Sequence, residues 1–155
     1  MVRRLFPFIL LAGLMACSSA DFPTHAGPPV VTFEGGEPAS LRMPVQIADS
    51  SEERAKGLMD VAELPDRTGM AFVWDEPTTD EFWMKDTLIP LSIAFVDEND
   101  QIVTIRDMEP CTAEPCPKYG AAAPYVLAIE TNAGFFDRHE IQVGDRAELG
   151  TGPAS

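Results

Sequence analysis

The residue best placed to do chemistry is a lysine among aromatics: Lys85 follows Trp83 and Met84, and Asp86 comes directly after it. An ammonium in such a place needs an acid partner if buried, or rests against an aromatic face if exposed. Asp86 and Glu130 are the acids that could serve it, and Arg54 supplies a second cation. Glu130 stands out because it interrupts an apolar approach, Tyr125 to Ile129, to Asn132-Ala-Gly134. These groups admit three readings. Lys85 with Glu130 or Asp86 could form the acid–base pair of a small enzyme, provided burial or neighbours displace their pKa values. Trp83, Lys85, Arg54, Glu130 and Asp86 could instead line a noncatalytic binding face in a concavity. Or Trp83 could fill the core while Lys85 or Arg54 neutralises a semi-buried Glu130.

Sulfur offers two further chemistries. Cys111 and Cys116 enclose four residues, one of them Pro115, and an even cysteine pair in an exported chain is expected as a disulfide. Zinc would need two more ligands, and His25 and His139 are not at finger spacing. The gap is also longer than that of a thioredoxin-type pair. Met43, Met59, Met70, Met84 and Met108 raise copper handling, since thioethers select Cu(I), but none forms a Met-x-Met cluster and each stands among apolar residues. No HExxH, GxSxG, EF-hand or Gly-rich phosphate loop occurs. No metal or cofactor is therefore expected, and the balance favours a binding or accessory module over an enzyme.

The elements that must position these residues are mostly strands. Phe82 to Asp97 is the densest apolar run beyond the amino-terminal leader, and its halves, Glu81 to Lys85 and Leu91 to Val96, are strand-like around a turn at Asp86, Thr87 and Pro90. Further strands are expected over Val30 to Phe33, over Leu41 to Ala48 with Pro44 marking an edge or bulge, and over Gly69 to Trp74 with Phe72 and Trp74 on one face. Asp75 to Asp80 should turn the chain. A hairpin across Asp97 to Gln101 should pair Gln101 to Met108 with Leu91 to Val96. Glu109 to Pro124 reads as a long loop, Pro124 to Ala133 as a strand, and Arg146 to Leu149 as the last one. Ser50 or Ser51 followed by Glu52, Glu53 and Gly57 predicts a short helix over Ser51 to Lys56, and Phe135 to Glu140 a helical turn. About seven or eight short strands imply a mainly β fold, an antiparallel sandwich or a jelly-roll-like partly closed barrel, with one or two short helices.

Phe82-Trp-Met-Lys-Asp-Thr-Leu-Ile-Pro-Leu-Ser-Ile-Ala-Phe-Val-Asp97 resembles the signature of the domain of unknown function 192 family, small and often exported proteins with no established activity. The resemblance extends to Arg54-Ala-Lys-Gly-Leu-Met59, Gly69-Met-Ala-Phe-Val-Trp74, Tyr125-Val-Leu, Glu130-Thr-Asn-Ala-Gly134 and Val143-Gly-Asp145. It implies a compact, mainly β fold of jelly-roll or sandwich type and assigns no chemistry. Asp86 stands where the family's pattern has Asn, which adds a negative charge beside Lys85.

The amino terminus reads as an export leader: Arg3 and Arg4 precede an apolar stretch from Leu5 to Ala16, too short to span a bilayer comfortably. Leu14-Met-Ala-Cys17 resembles a lipobox, so Cys17 is the expected site of lipidation, and several acyl chains would anchor the protein stably to a membrane. Ser18 lacks the aspartate associated with inner-membrane retention, which favours an outer-membrane lipoprotein facing the periplasm. The alternative is cleavage after Ala20 to give a soluble periplasmic protein. The expected organisation is a signal peptide over 1–16, a tether rich in proline over 17–29, one β domain over 30–150 and a disordered tail over 151–155. With 11 basic against 25 acidic residues the net charge is −14, which opposes nucleic acid and anionic lipid. The expected partners are thus the membrane, through Cys17, and a small ligand, envelope polymer or protein, with the chain itself monomeric.

Overall fold

A computed structural model describes residues 27–152. The leader, Cys17 and most of the tether lie outside the described residues. In chain order the elements are β1 (Pro29–Glu34), β2 (Ser40–Ala48), α1 (Ser51–Lys56), β3 (Gly69–Thr78), β4 (Phe82–Trp83), β5 (Leu91–Val96), β6 (Ile102–Met108), β7 (Lys118–Tyr119), β8 (Tyr125–Asn132), α2 (Phe135–Arg138) and β9 (Arg146–Thr151). The fold is mainly β. Seven strands form one curled sheet in the order β6-β5-β8-β3-β2-β1-β9, and β4 pairs with β7 in a separate two-stranded ribbon.

The sheet curls far enough for its two edge strands to meet at one end. Gln101 bridges Arg146, the Ala147 amide donates to the Asp100 carbonyl, and the Ile102 amide donates to the Asp145 carbonyl, both at 2.9 Å. Arg146 secures the junction through Asp100 at 2.8 Å, with its guanidinium also held by Glu148 of its own strand at 3.1 Å. Of the two architectures expected, the chain takes the partly closed barrel.

Alternation along each strand divides the apolar residues between the two faces. Ala94 and Val96 of β5 join Val31, Phe33, Met43, Leu127, Ile129, Phe135 and Phe136 in one cluster. Leu91, Ile93 and Phe95 of the same strand join Met70, Phe72, Met84, Met108 and Tyr125 in the other. All six residues of β5 are buried, as a strand with both faces covered requires, which explains why all of them but Ser92 are apolar. Each large side chain so buried contributes roughly 1.5–3 kcal/mol.

α1 forms over the residues its pattern predicts. The Glu53 amide donates to Ser50 Oγ at 3.2 Å while the Ser50 amide donates to the Glu53 carboxylate at 3.1 Å, a reciprocal cap. The Ser50 hydroxyl, which donates to the Glu53 carboxylate at 2.8 Å, and then the Ser50 and Asp49 amides hold the Glu53 carboxyl below its ordinary pKa. Gly57 ends the helix at φ 45°, ψ −135°, a conformation open to glycine, and a Cβ there would come within 3.3 Å of the Phe72 ring.

β9 runs past the expected Leu149 to Thr151, which pairs with Pro29 and so belongs to the sheet and not to the tail expected over 151–155. Three further features depart from expectation. β2 and β3 run parallel, from Val45 opposite Gly69 to Ala48 opposite Phe72, so α1 lies in a crossover connection inside an otherwise antiparallel sheet. Because β3 joins only from Val45, β2 is paired on one side alone at Pro44, where a missing donor is tolerated. β3 continues to Thr78 instead of turning at Asp75, through a register shift between Val73 and Thr78 that absorbs Pro77. Finally, the expected strand over Glu81 to Lys85 shrinks to the two residues of β4, because its partner is the short β7 within the Glu109 to Pro124 loop and not the main sheet.

Candidate functional site

The side chains gather into a cleft of about 360 Å³ on the face of the second cluster. α1 and the turn after it contribute Arg54, Ala55, Lys56 and Gly57, β3 contributes Phe72 and Trp74, the approach to β4 contributes Asp80 and Glu81, and β4 itself contributes Phe82 and Trp83. Edge-to-face contacts make the aromatic wall rigid: Phe82 packs against Phe72 at 5.0 Å, Phe95 at 5.6 Å and Trp74 at 6.2 Å between ring centroids. Tyr125 supports this wall from behind, 5.2 Å from Trp74 and 4.8 Å from Phe95. Its hydroxyl donates to the Asp80 carbonyl at 2.7 Å and thereby fixes the chain entering β4. Burial, and then the Asp80 carboxylate, push the Tyr125 phenol well above its ordinary range.

Glu130 also lines the cleft. It sits in the middle of the sheet, opposite Met70 of β3 on one side and Ile93 of β5 on the other, both apolar and both of the second cluster. Its relative exposure is 4%. Burial alone raises its carboxyl pKa from 4.5 to about 8, with no cation and no hydrogen-bond donor to offset it. Among the described residues no sealed polar side-chain atom lacks a partner. An unpartnered Glu130 therefore keeps its oxygens open to the cleft.

The other four residues singled out in the sequence divide. Arg54 lines the cleft, but its guanidinium lies 5.0 Å from the centroid of the Trp74 ring and donates to the carbonyls of Val73, at 2.8 Å, and Asp49. Trp83 lines the cleft and is 41% exposed, so it does not fill the core. Its ring carries Lys118 at 3.9 Å and Lys85 at 5.6 Å. Lys85 pairs with Glu114 at 3.5 Å on the surface and does not line the cleft. Asp86 is exposed and also lies off the cleft, with φ 54° and its carbonyl accepting from the Asp60 amide at 2.9 Å. That left-handed conformation suits Asp and Asn alike.

The expected neutralisation of Glu130 by Lys85 or Arg54 is thus corrected: no ion pair among the described residues joins either to it. The reason is topological. β4 leaves the main sheet for β7 and carries Lys85 toward Glu114, while backbone carbonyls and Trp74 occupy Arg54. Sequence reasoning missed Phe72, Trp74, Phe82, Asp80 and Glu81 as lining residues. Phe72 and Trp74 shared a legible strand face, but the parallel crossover that lays α1 beside that face carries no local signal.

Cys111 and Cys116 are joined by a disulfide with their Cα atoms 5.5 Å apart. Met43 lies in the first cluster and Met70, Met84 and Met108 in the second, each packed among core residues, while Met59 borders the cleft. Among the described residues no three His, Cys, Asp or Glu side chains converge as metal ligands, and no helix is long and apolar enough to cross a membrane.

The chain is 34% identical to a protein of unknown function from Novosphingobium aromaticivorans, whose crystal structure superposes with a TM-score of 0.71 over 77% of this chain and 83% of that one. It is 26% identical to a Sinorhizobium meliloti protein described, provisionally, as a transcription regulator, with a TM-score of 0.70 over 80% of this chain and 95% of that one. No curated protein matches. The sequence profile of DUF192, described as "Uncharacterized ACR", matches residues 31–149, and the chain belongs to that family.

Proposed function

We propose that the protein is an exported, lipid-anchored module of the cell envelope that binds a small ligand in the cleft between α1 and β4 and performs no catalysis on it. One observation carries this reading: Glu130, buried in the sheet without a partner, opens into a preformed cleft walled by Phe72, Trp74, Phe82 and Trp83. Leaving a carboxyl in that position costs folding free energy, and such a cost is characteristic of a site shaped for a ligand. An acid with a raised pKa is also what an enzyme needs. The rest of the cleft argues otherwise, since Arg54 is held by carbonyls, Lys56 is paired with Asp60 at 2.6 Å and Lys85 lies elsewhere. The net charge of −14 opposes a phosphate backbone, so the Sinorhizobium protein's description is not carried over.

The leader pattern and Leu14-Met-Ala-Cys17 support the envelope address. Metabolic labelling with a tagged fatty acid should mark the wild type and leave C17S unmarked; equal labelling would remove the anchor from the proposal. The binding reading is tested by thermal shift with envelope-derived small molecules, peptides and metal ions, because a ligand specific to the folded state raises Tm. At least one small molecule should do so, and A55W, which places an indole where Ala55 lines the cleft, should abolish the rise. If no compound shifts Tm, or the shift survives in A55W, the cleft is not a binding site.

A further inference from the structure

We infer that the cleft takes a small organic cation, a primary ammonium or guanidinium group on a short apolar stem, with Glu130 as its counter-charge and the aromatic wall enclosing the stem. The inference rests on the binding reading above and adds the class of ligand.

Charge at the cleft decides the sign. Its acids are Glu130 on the floor and Asp80 and Glu81 on the approach to β4, while its bases are Arg54 and Lys56, both from α1. Lys56 is neutralised by Asp60. The Arg54 guanidinium is turned to the Val73 and Asp49 carbonyls and covered by Trp74, so it offers little to an anion. The strands flanking Glu130 present only Met70 and Ile93 to it. A buried carboxyl open to a cleft is best satisfied by a charged donor, since charge-assisted hydrogen bonds are about twice as strong as neutral ones. The tryptophans already accept cations on their faces, Arg54 over Trp74 and Lys118 over Trp83. A volume of about 360 Å³ is near the lower end for ligand sites and fits one small molecule.

Binding would move one proton. Glu130 is mostly neutral at pH 7 because burial lifts its pKa. A cation that pairs with the carboxylate displaces that proton to solvent, so affinity should rise about tenfold per pH unit below the pKa.

The test is calorimetric titration of the wild type, E130Q and A55W with benzylammonium, benzyl alcohol and benzoate. Benzylammonium should bind the wild type at least about tenfold more tightly than benzyl alcohol, with benzoate weakest, and about tenfold more tightly at pH 7 than at pH 6. E130Q should lose the preference for the cation yet still bind benzyl alcohol, which also demonstrates that the variant folds. If benzyl alcohol binds the wild type as well as benzylammonium does, and A55W blocks both, the cation inference fails while the binding reading stands. If none of the three binds and the wider thermal-shift panel is also silent, both fail.

Discussion

The guanidinium of Arg54 lies 5.0 Å from the ring centroid of Trp74, its Nη1 shared between two backbone carbonyls, and Glu130 is left without a cation. This relationship separates structure from function in the cleft. Arg54 ties α1 to β3 and so builds the wall, whereas the Glu130 carboxyl makes no hydrogen bond or ion pair that ties one element to another.

Replacing Arg54 should therefore weaken the fold. R54M removes the hydrogen bonds to Val73 and Asp49 and the cation over Trp74, at a cost of about 2 kcal/mol. R54K should recover less than half of this, because an ammonium has no planar face to lay on the Trp74 ring while it donates to the two carbonyls. Urea denaturation of the three proteins measures the series; equal stability of R54M and wild type would show that α1 is held by other contacts.

Glu130 should make stability fall as pH rises. Its folded-state pKa, about 8, lies above the ordinary 4.5, so the folded protein binds the extra proton between those values. The contribution is present in full below pH 4.5 and is lost as pH climbs through 8. The loss by pH 7 is at most about 3 kcal/mol. E130Q should lack this dependence, so the stability difference, wild type minus E130Q, should decline steadily from pH 4.5 to 8. A flat difference would mean that the carboxyl is compensated in the folded state.

At Gly57 the backbone and Phe72 act together. G57A places a side chain in a region reserved for glycine and within 3.3 Å of the Phe72 ring. It should cost roughly 1–3 kcal/mol by thermal or chemical denaturation and disturb the end of α1 at the cleft. A loss below about 0.5 kcal/mol would indicate that the turn relaxes freely.

The disulfide closes a short loop just before β7. Replacing Cys111 and Cys116 with serine should cost about 2 kcal/mol on the chain-entropy account. Amide shift changes should concentrate in residues 109–119 and in β4, which β7 pairs. Changes spread evenly over the main sheet would contradict that local role.

Much of the fold was legible because its signals are local. The Ser50 cap placed α1, the aromatic and β-branched run of Leu91 to Val96 placed β5, and the polar turn from Asp97 to Gln101, with Asp100 at φ 61°, placed the β5–β6 hairpin. Glu130 was legible too, as an acid breaking an apolar strand. What could not be read was long-range partnership. Nothing near Lys85 announces that β4 pairs with Lys118 and Tyr119, or that this pairing carries the ammonium to Glu114. Nor does Arg54 announce Trp74, because their meeting depends on the parallel register of β2 and β3, set by pairings such as Ala48 with Phe72. The residues were visible singly, and the sheet topology decided which of them meet.

The most direct test follows the Glu130 carboxyl carbon by NMR across pH 3 to 10, with E130Q to assign the resonance. The midpoint should fall near 8 in the unliganded protein, as burial without a partner requires. A midpoint near 4.5 would mean that water or a donor already satisfies the carboxylate, and the cleft would lose the unpartnered carboxyl on which its reading as a ligand site depends.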